Sequence, residues 1–168
     1  VLQGLTEQLQ THGQSIQHSW KVSTPNASSS YRTQFLDSTL DDGSDPISTL
    51  LTQFQAHMEY LQKRNVATTS AKLSQSAWQG ISAAIDEFSF FLSGTEETSI
   101  SLLSLMTAGG FQISVEQINS NLEEVRLSIA AKNPDTLDIA LGKLDGNLKR
   151  DIPDGLKVDL GINFSDGD

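Results

Sequence analysis

Three histidines, His12, His18 and His57, are the side chains of this 168-residue sequence best suited to metal binding or proton transfer. A helix presents two metal-binding histidines on one face when they lie four residues apart. His12 and His18 are six residues apart, and His57 has no carboxylate four residues before or after it. We therefore expect surface or boundary histidines, with no metal site and no cofactor.

An acidic segment at residues 41–45, Asp-Asp-Gly-Ser-Asp, offers oxygen ligands of the kind that Ca²⁺ prefers. A calcium-binding EF-hand loop needs acids at alternate positions, glycine at the sixth and glutamate at the twelfth, and this segment lacks that register. Asp45 precedes Pro46, an order that starts helices because the carboxylate accepts from N–H groups of the first turn. The segment is interpreted as a solvated turn followed by a helix.

Motifs for nucleophilic or phosphate chemistry are missing from the sequence. It has no cysteine, no Gly-x-Ser-x-Gly element and no glycine-rich phosphate loop, and Gly109-Gly110 is interpreted as a turn. We therefore predict that the protein is not an enzyme. Asn26-Ala27-Ser28 and Asn163-Phe164-Ser165 match the N-glycosylation pattern, which matters only in a glycosylating secretory pathway.

The net charge of the chain is −10, which disfavours binding to a nucleic-acid backbone. No run of about 18 apolar residues occurs, so no transmembrane helix is predicted. The absence of cysteine and the abundance of Ser, Thr, Gln and Asn favour a secreted or extracellular chain.

Apolar residues recur at helical spacing in five segments, with start signals at Asp45, Thr95, Ser114 and Asn133. The predicted helices are 1–22, 46–92, 95–108, 114–132 and 134–150. The fold class is thus all-α, a helical bundle of about five helices with one long central helix and an extended C-terminal tail. The predicted domains are 1–152, the bundle, and 153–168, an extended tail or the start of a following domain.

The apolar stripe of the segment 46–92 loses phase near residues 65–70. One long helix with a stutter and a helical hairpin that bends there both fit this pattern. The absence of Gly and Pro from 65–72 favours the long helix, with Thr68-Thr69-Ser70 as its weak point.

The stripes also predict the buried residues. In the first segment, Leu2, Leu5, Leu9, Ile16 and Trp20 share one face with His12. The predicted core of the bundle consists of Leu50, Leu51, Phe54, Met58, Leu61, Ile81, Ile85, Phe88, Leu92, Leu103, Leu122, Val125, Ile129, Leu141 and Leu144.

Two features predict contacts beyond the core. Phe90 points away from the face shared by Phe88 and Leu92, so it either packs under the 95–108 helix or meets a partner. After Pro153 apolar and polar residues alternate, which is typical of a strand that pairs, folds back on the bundle or meets a partner. The candidate partner or ligand contacts are Phe90, Phe91, Leu102, Met106, Leu156, Val158, Leu160, Ile162 and Phe164.

Two functions fit these observations. The first is a non-enzymatic interaction or assembly protein, exported or secreted, that acts by helix packing with a protein partner or with further copies of itself. The alternative is a helical bundle that holds an apolar ligand such as a fatty acid between the segments 81–92 and 102–106.

Overall fold

The computed structural model describes residues 2–23, 29–37, 45–69, 76–94 and 100–160. Within these ranges every regular element is helical, which confirms the predicted all-α class. The chain divides into two compact units, Val1–Thr49 and Leu50–Asp168. The division predicted at residue 152 stays a prediction.

The first unit contains helix α1 (Leu2–Lys21), helix α2 (Tyr31–Leu36) and the first residues of helix α3 (Pro46–Lys63). Trp20 of α1 and Phe35 of α2 place their ring centroids 5.5 Å apart. The predicted cap of α3 is confirmed, because Asp45 Oδ2 accepts from the backbone N–H of Ser48 at 2.8 Å. Among the described residues of this unit, no side chain except Pro46 is buried.

The prediction of one long central helix is wrong at residue 65. Asn65 takes a left-handed backbone conformation, with φ of 48°, which ends α3 and starts the short helix α4 (Val66–Thr69). Asparagine adopts this conformation more readily than most residues, so the break needs neither Gly nor Pro. Residues 70–75, part of the predicted helix, lie outside the described residues.

Helix α5 (Ala77–Ser93) packs against the part of α3 that belongs to the second unit. The ring of Phe54 on α3 lies 5.1 Å from Phe88 and 4.8 Å from Phe91, measured between centroids. This pairing agrees with the helical hairpin, the second of the two predicted arrangements.

Helix α6 (Leu102–Ala108) starts at Ser101. The hydroxyl of Ser101 accepts from the backbone N–H of Ser104 at 3.1 Å, and the Ser104 hydroxyl accepts from that of Ser101 at 2.9 Å. The predicted start at Thr95 lies outside the described residues.

Helices α7 (Gln112–Ala130) and α8 (Pro134–Gly146) form a second helical hairpin. The predicted cap at Ser114 is wrong, because α7 begins two residues earlier. The cap at Asn133 is confirmed, since its side-chain oxygen accepts from two backbone N–H groups of the first turn of α8, at 3.0 and 3.2 Å. Lys132, with φ of 50°, turns the chain between the helices.

Helix α8 runs into a π-helical segment (Asn147–Asp151) and then into helix α9 (Ile152–Leu156). The prediction that Pro153 ends helical structure is wrong, because Pro153 lies in the first turn of α9, where its missing N–H removes no helical bond. Leu156 is consequently helical rather than extended. Residues 158–160 have no regular structure, and 161–168 lie outside the described residues.

The apolar core of the described residues lies in the second unit. Most of the predicted core residues are buried; Leu50, Phe54 and Ile129 are half-buried. Further residues are fully buried without having been predicted as core, namely Met106, Ile118, Leu148 and Ile152.

Candidate interaction surface

The aromatic residues of α5 divide between core and surface as the 100° helical step predicts. Phe88 is fully buried, while 53% of Phe90 is exposed. Phe91 is half-buried and stacks on Phe54 with an interplanar angle of 27°. Of these predicted contact residues, Phe90 is the one whose ring is open to a partner.

Met106 and Leu102 of α6 differ in their accessibility. Leu102 is half-buried, whereas Met106 is fully buried. Met106 lies directly on Gly155 of α9, where an added Cβ would come within 2.7 Å of Met106 Cε. The Met106 side chain therefore holds α6 to α9 and presents no surface to a partner.

The predicted tail contacts do not form an exposed stripe in the described part of the chain. Leu156, Val158 and Leu160 are all half-buried. Ile162 and Phe164 lie outside the described residues, so their role stays a prediction.

Helix α1 carries the longest exposed apolar stripe among the described helices. The exposed fractions are 53% for Leu5, 72% for Leu9, 72% for Ile16 and 41% for Trp20. His12, also exposed, lies between Leu9 and Ile16 on the same face. The stripe therefore faces solvent over almost its whole length. We call it the α1 stripe.

A groove lies beside the C-terminal half of the α1 stripe, where α2 packs against α1. It has a volume of 320 Å³ and is lined by Ser15, Ile16, Ser19, Trp20, Tyr31 and Phe35. Aromatic and aliphatic side chains thus form most of a concave surface next to Ile16. A concave apolar surface of this kind accepts a single aliphatic side chain.

The polar face of α1 is almost uncharged. Its charged side chains are Glu7 and Lys21, apart from the histidines, so the helix has no net formal charge while the whole chain has −10. Glu7 and Lys21 are 14 residues apart, which places both on the side opposite the α1 stripe. A partner that binds the stripe meets no charge there.

The second unit has two shallower apolar surfaces. One is a groove of 290 Å³ between α3 and α5, lined by Leu50, Gln53, Phe54, His57, Ala84 and Glu87. The other, of 400 Å³, lies between α7 and α8, where Leu127 and Ile139 are 61% and 63% exposed beside Glu124. Each surface has a carboxylate at its wall, unlike the α1 stripe.

Lys149 of the π-helical segment forms the strongest charged contacts of the described residues. Its Nζ donates to Glu59 Oε1 at 2.7 Å and to Asp145 Oδ2 at 2.9 Å. Hydrogen bonding to Glu59 raises the pKa of Lys149 to about 12, and the same bond lowers the pKa of the mostly buried Glu59. This cluster joins α3 to the C-terminal segment, and its charges neutralise one another, as expected of a structural site.

A second polar network crosses the opposite side of that segment. Asn121 Nδ2 on α7 donates to Asn147 Oδ1 at 2.6 Å, and Asn147 Nδ2 donates to Asp151 Oδ2 at 2.7 Å. Gln117 Nε2 completes the chain by donating to Asn121 Oδ1 at 3.0 Å. Because both asparagines are buried and bonded, the network fixes the register of α7 against the C-terminal segment.

No group of three His, Cys, Asp or Glu residues within the described ranges is arranged to hold a metal ion. None of the described helices combines the length and apolar character needed to cross a membrane. Comparison of the chain with protein-family models, with curated proteins and with solved structures gives no match.

The sequence-based prediction of contact residues did not include the α1 stripe. The available signal was its spacing, since Leu2, Leu5, Leu9, His12 and Ile16 alternate steps of three and four residues. That alternation is typical of a helix that pairs with one other helix rather than of one surrounded by a bundle.

Proposed function

We propose that this protein is a non-enzymatic interaction or assembly protein in which the second unit is a stable scaffold and the α1 stripe is the contact surface for a protein partner. Export or secretion of the chain belongs to the proposal and rests on its cysteine-free composition, rich in uncharged polar residues. The observation that carries the proposal is the exposure of the stripe.

An exposed stripe of this size is energetically unfavourable. Each leucine-sized side chain gains about 1.5–3 kcal/mol when it leaves water for an apolar environment. Leu9 and Ile16 are both 72% exposed and therefore keep most of that free energy available for association. Large exposed apolar patches on otherwise polar proteins mark interaction sites.

The chemistry of the polar face favours a protein over a membrane as the partner. Helices that lie on membranes carry several Lys or Arg residues on the polar face to meet anionic lipid. The polar face of α1 consists mainly of Gln, Ser and Thr, with Lys21 at its end. An uncharged polar face suits a helix whose apolar side is covered by another helix.

A paired affinity-capture experiment tests the proposal. The tagged chain is compared with Leu9→Glu, which places a carboxylate in the stripe, and with Leu127→Glu, which changes an equally exposed residue of α7. We expect Leu9→Glu to lose proteins captured from an extract of the source cells, quantified by mass spectrometry. Capture that is unchanged by Leu9→Glu would overturn the proposal.

Binding of an apolar small molecule is a second candidate function, supported by the groove between α3 and α5. Leu50, Phe54 and Ala84 give that groove an aliphatic and aromatic wall. The residues first expected to line a cavity, Phe88 and Met106 among them, are fully buried and occupy the interior themselves. Native mass spectrometry would show a retained ligand mass, lost in Phe54→Asp, if this function is correct.

A further inference from the structure

We propose that the partner of the α1 stripe is the α1 stripe of a second copy of this chain, and that the two helices pair antiparallel as a short two-stranded coiled coil. The inference rests on the proposed function and specifies the partner. It follows from the register of the stripe, the position of its charges and the groove beside Ile16.

The spacing of the stripe is that of a coiled-coil heptad, in which apolar residues occupy positions a and d. With Leu9 and Ile16 at position a, Leu5 and His12 fall at position d. The side chains at both a positions and at Leu5 are more than half exposed, so each is available to a facing helix.

The heptad register places every full charge of α1 away from the seam. Glu7 and Lys21 both fall at position f, on the outside of a pair. The residues that flank the seam at positions e and g are uncharged and small or flexible: Thr6, Gln8, Gly13 and Ser15. A second copy therefore approaches this helix without like-charge repulsion, although each chain carries −10 overall.

The position of His12 favours the antiparallel orientation. A parallel pair would place the two copies of His12 against each other in one core layer, so that two polar rings would share an apolar interface. In an antiparallel pair, layers form between residues whose numbers add to 21. His12 then faces Leu9 of the second copy, and Leu5 faces Ile16.

The groove between α1 and α2 lies where this orientation needs it. Leu5 of the second copy arrives beside Ile16, and that residue is part of the wall of the 320 Å³ groove. Trp20 and Phe35 close the far side of the groove. Because the arrangement is two-fold symmetric, each copy inserts its own Leu5 and receives the other, as an isologous interface requires.

Sedimentation equilibrium of the full chain over a range of concentrations tests the pairing. We expect reversible association between 18.2 kDa and twice that mass. Leu9→Glu should raise the dimer dissociation constant at least tenfold, while Leu127→Glu leaves it unchanged. His12→Leu should lower it several-fold, because it replaces a polar residue at position d with the preferred leucine.

Spin labels test the orientation, since the cysteine-free chain accepts a single label at a chosen site. Gln10 and Gln17 are both exposed and are one heptad apart, at position b. In an antiparallel pair the two labels at residue 10 lie almost level, whereas those at residue 17 are offset by about 20 Å along the axis. Equal distances for the two sites would overturn the antiparallel arrangement.

The outcomes separate this inference from the proposed function. A monomeric mass at every concentration, for the natural chain and for His12→Leu, overturns self-pairing. If Leu9→Glu still loses a captured protein in that case, the interaction function stands and its partner is a different chain. Loss of neither association nor capture in Leu9→Glu overturns both.

Discussion

The two units of this protein carry the same kind of amphipathic pattern but bury it to different extents. In the second unit the apolar faces of α3, α5, α7 and α8 meet in a core whose central side chains, such as Phe88 and Leu144, are fully buried. In the first unit α1 is at least as periodic, yet Leu9 and Ile16 are mostly exposed. Periodicity therefore predicts that a face wants cover, and it does not predict what covers it.

The difference also concerns the source of helix stability. A single helix of about 20 residues is marginal in water, and most helical stability in proteins comes from packing of the apolar face. The helices of the second unit have that packing within the unit. We expect α1 to depend on association for part of its stability, and each prediction below tests one side of this contrast.

The largest expected effect is in the core of the second unit. Phe88→Ala should lower its free energy of unfolding by about 3–5 kcal/mol, because it empties a fully buried position. Phe90→Ala, two residues away and 53% exposed, is the matched control, with an expected change below about 1 kcal/mol. Urea denaturation followed by circular dichroism measures both, and equal midpoints would show that the register assigned to α5 is wrong.

The charged cluster gives an intermediate effect. Lys149→Met removes the partner of two carboxylates whose side chains are only 10% and 15% exposed, and should cost about 2 kcal/mol. Lys143→Met breaks the ion pair with Glu124, in which both side chains are more than 40% exposed, and should cost less than about 1 kcal/mol. A loss that is as large for Lys143→Met as for Lys149→Met, by urea denaturation, would contradict the structural role of the cluster.

The same cluster predicts the pH range over which it stabilises the second unit. The pKa of Glu59 is lowered from 4.5 in the folded protein, so its contribution is present above that value and is lost as the pH falls below it. The pKa of Lys149 is raised from 10.5 to about 12, so its contribution is present below 10.5 and is lost as the pH rises toward 12. The stability difference between the natural chain and Lys149→Met should therefore be largest between about pH 5 and 10, and a difference independent of pH would count against this assignment.

Two glycine substitutions compare the units directly. Gly13 in α1 and Gly80 in α5 both have open space where a Cβ would be added. Replacing a helical glycine with alanine gains about 0.5–1 kcal/mol. Gly80→Ala should raise the unfolding free energy of the second unit by that amount, whereas Gly13→Ala should slow hydrogen exchange in α1 and leave the second unit's urea midpoint unchanged. A common shift of midpoint in both variants would mean that the units unfold together.

The smallest expected effect on unfolding is at Leu9. Leu9→Ala should change the urea midpoint of the second unit by less than about 0.5 kcal/mol in free energy, because this side chain is mostly exposed. Dimer dissociation measured on the same samples should become easier. A core-sized loss of stability would show that the α1 stripe is covered within its own chain.

The elements that could be predicted from the sequence are those that short-range bonds determine. Asp45 and Asn133 satisfy N–H groups within three residues of themselves, so the helix starts that they mark are visible in the local sequence. The outward position of Phe90 follows equally from the helical step. None of these features depends on a distant part of the chain.

The features that could not be predicted depend on distant contacts. The left-handed turn at Asn65 is one of several conformations open to asparagine, and the packing of Phe54 on α5 is what accompanies it. The π-helical turn accompanies a bond between Asn147 and Asn121, which lies 26 residues earlier. Burial of Met106 likewise depends on Gly155, whose missing side chain leaves room for it.

The tight connection at Lys132 has a consequence for the order in which the second unit folds. Helices α7 and α8 are joined by a few residues, so their pairing closes a short loop at little entropic cost. The contact between Lys149 and Glu59 spans 90 residues and closes a much longer one. We therefore expect the α7–α8 hairpin to form early and the Lys149 contact to form after the rate-limiting step, so that Lys149→Met accelerates unfolding far more than it slows folding.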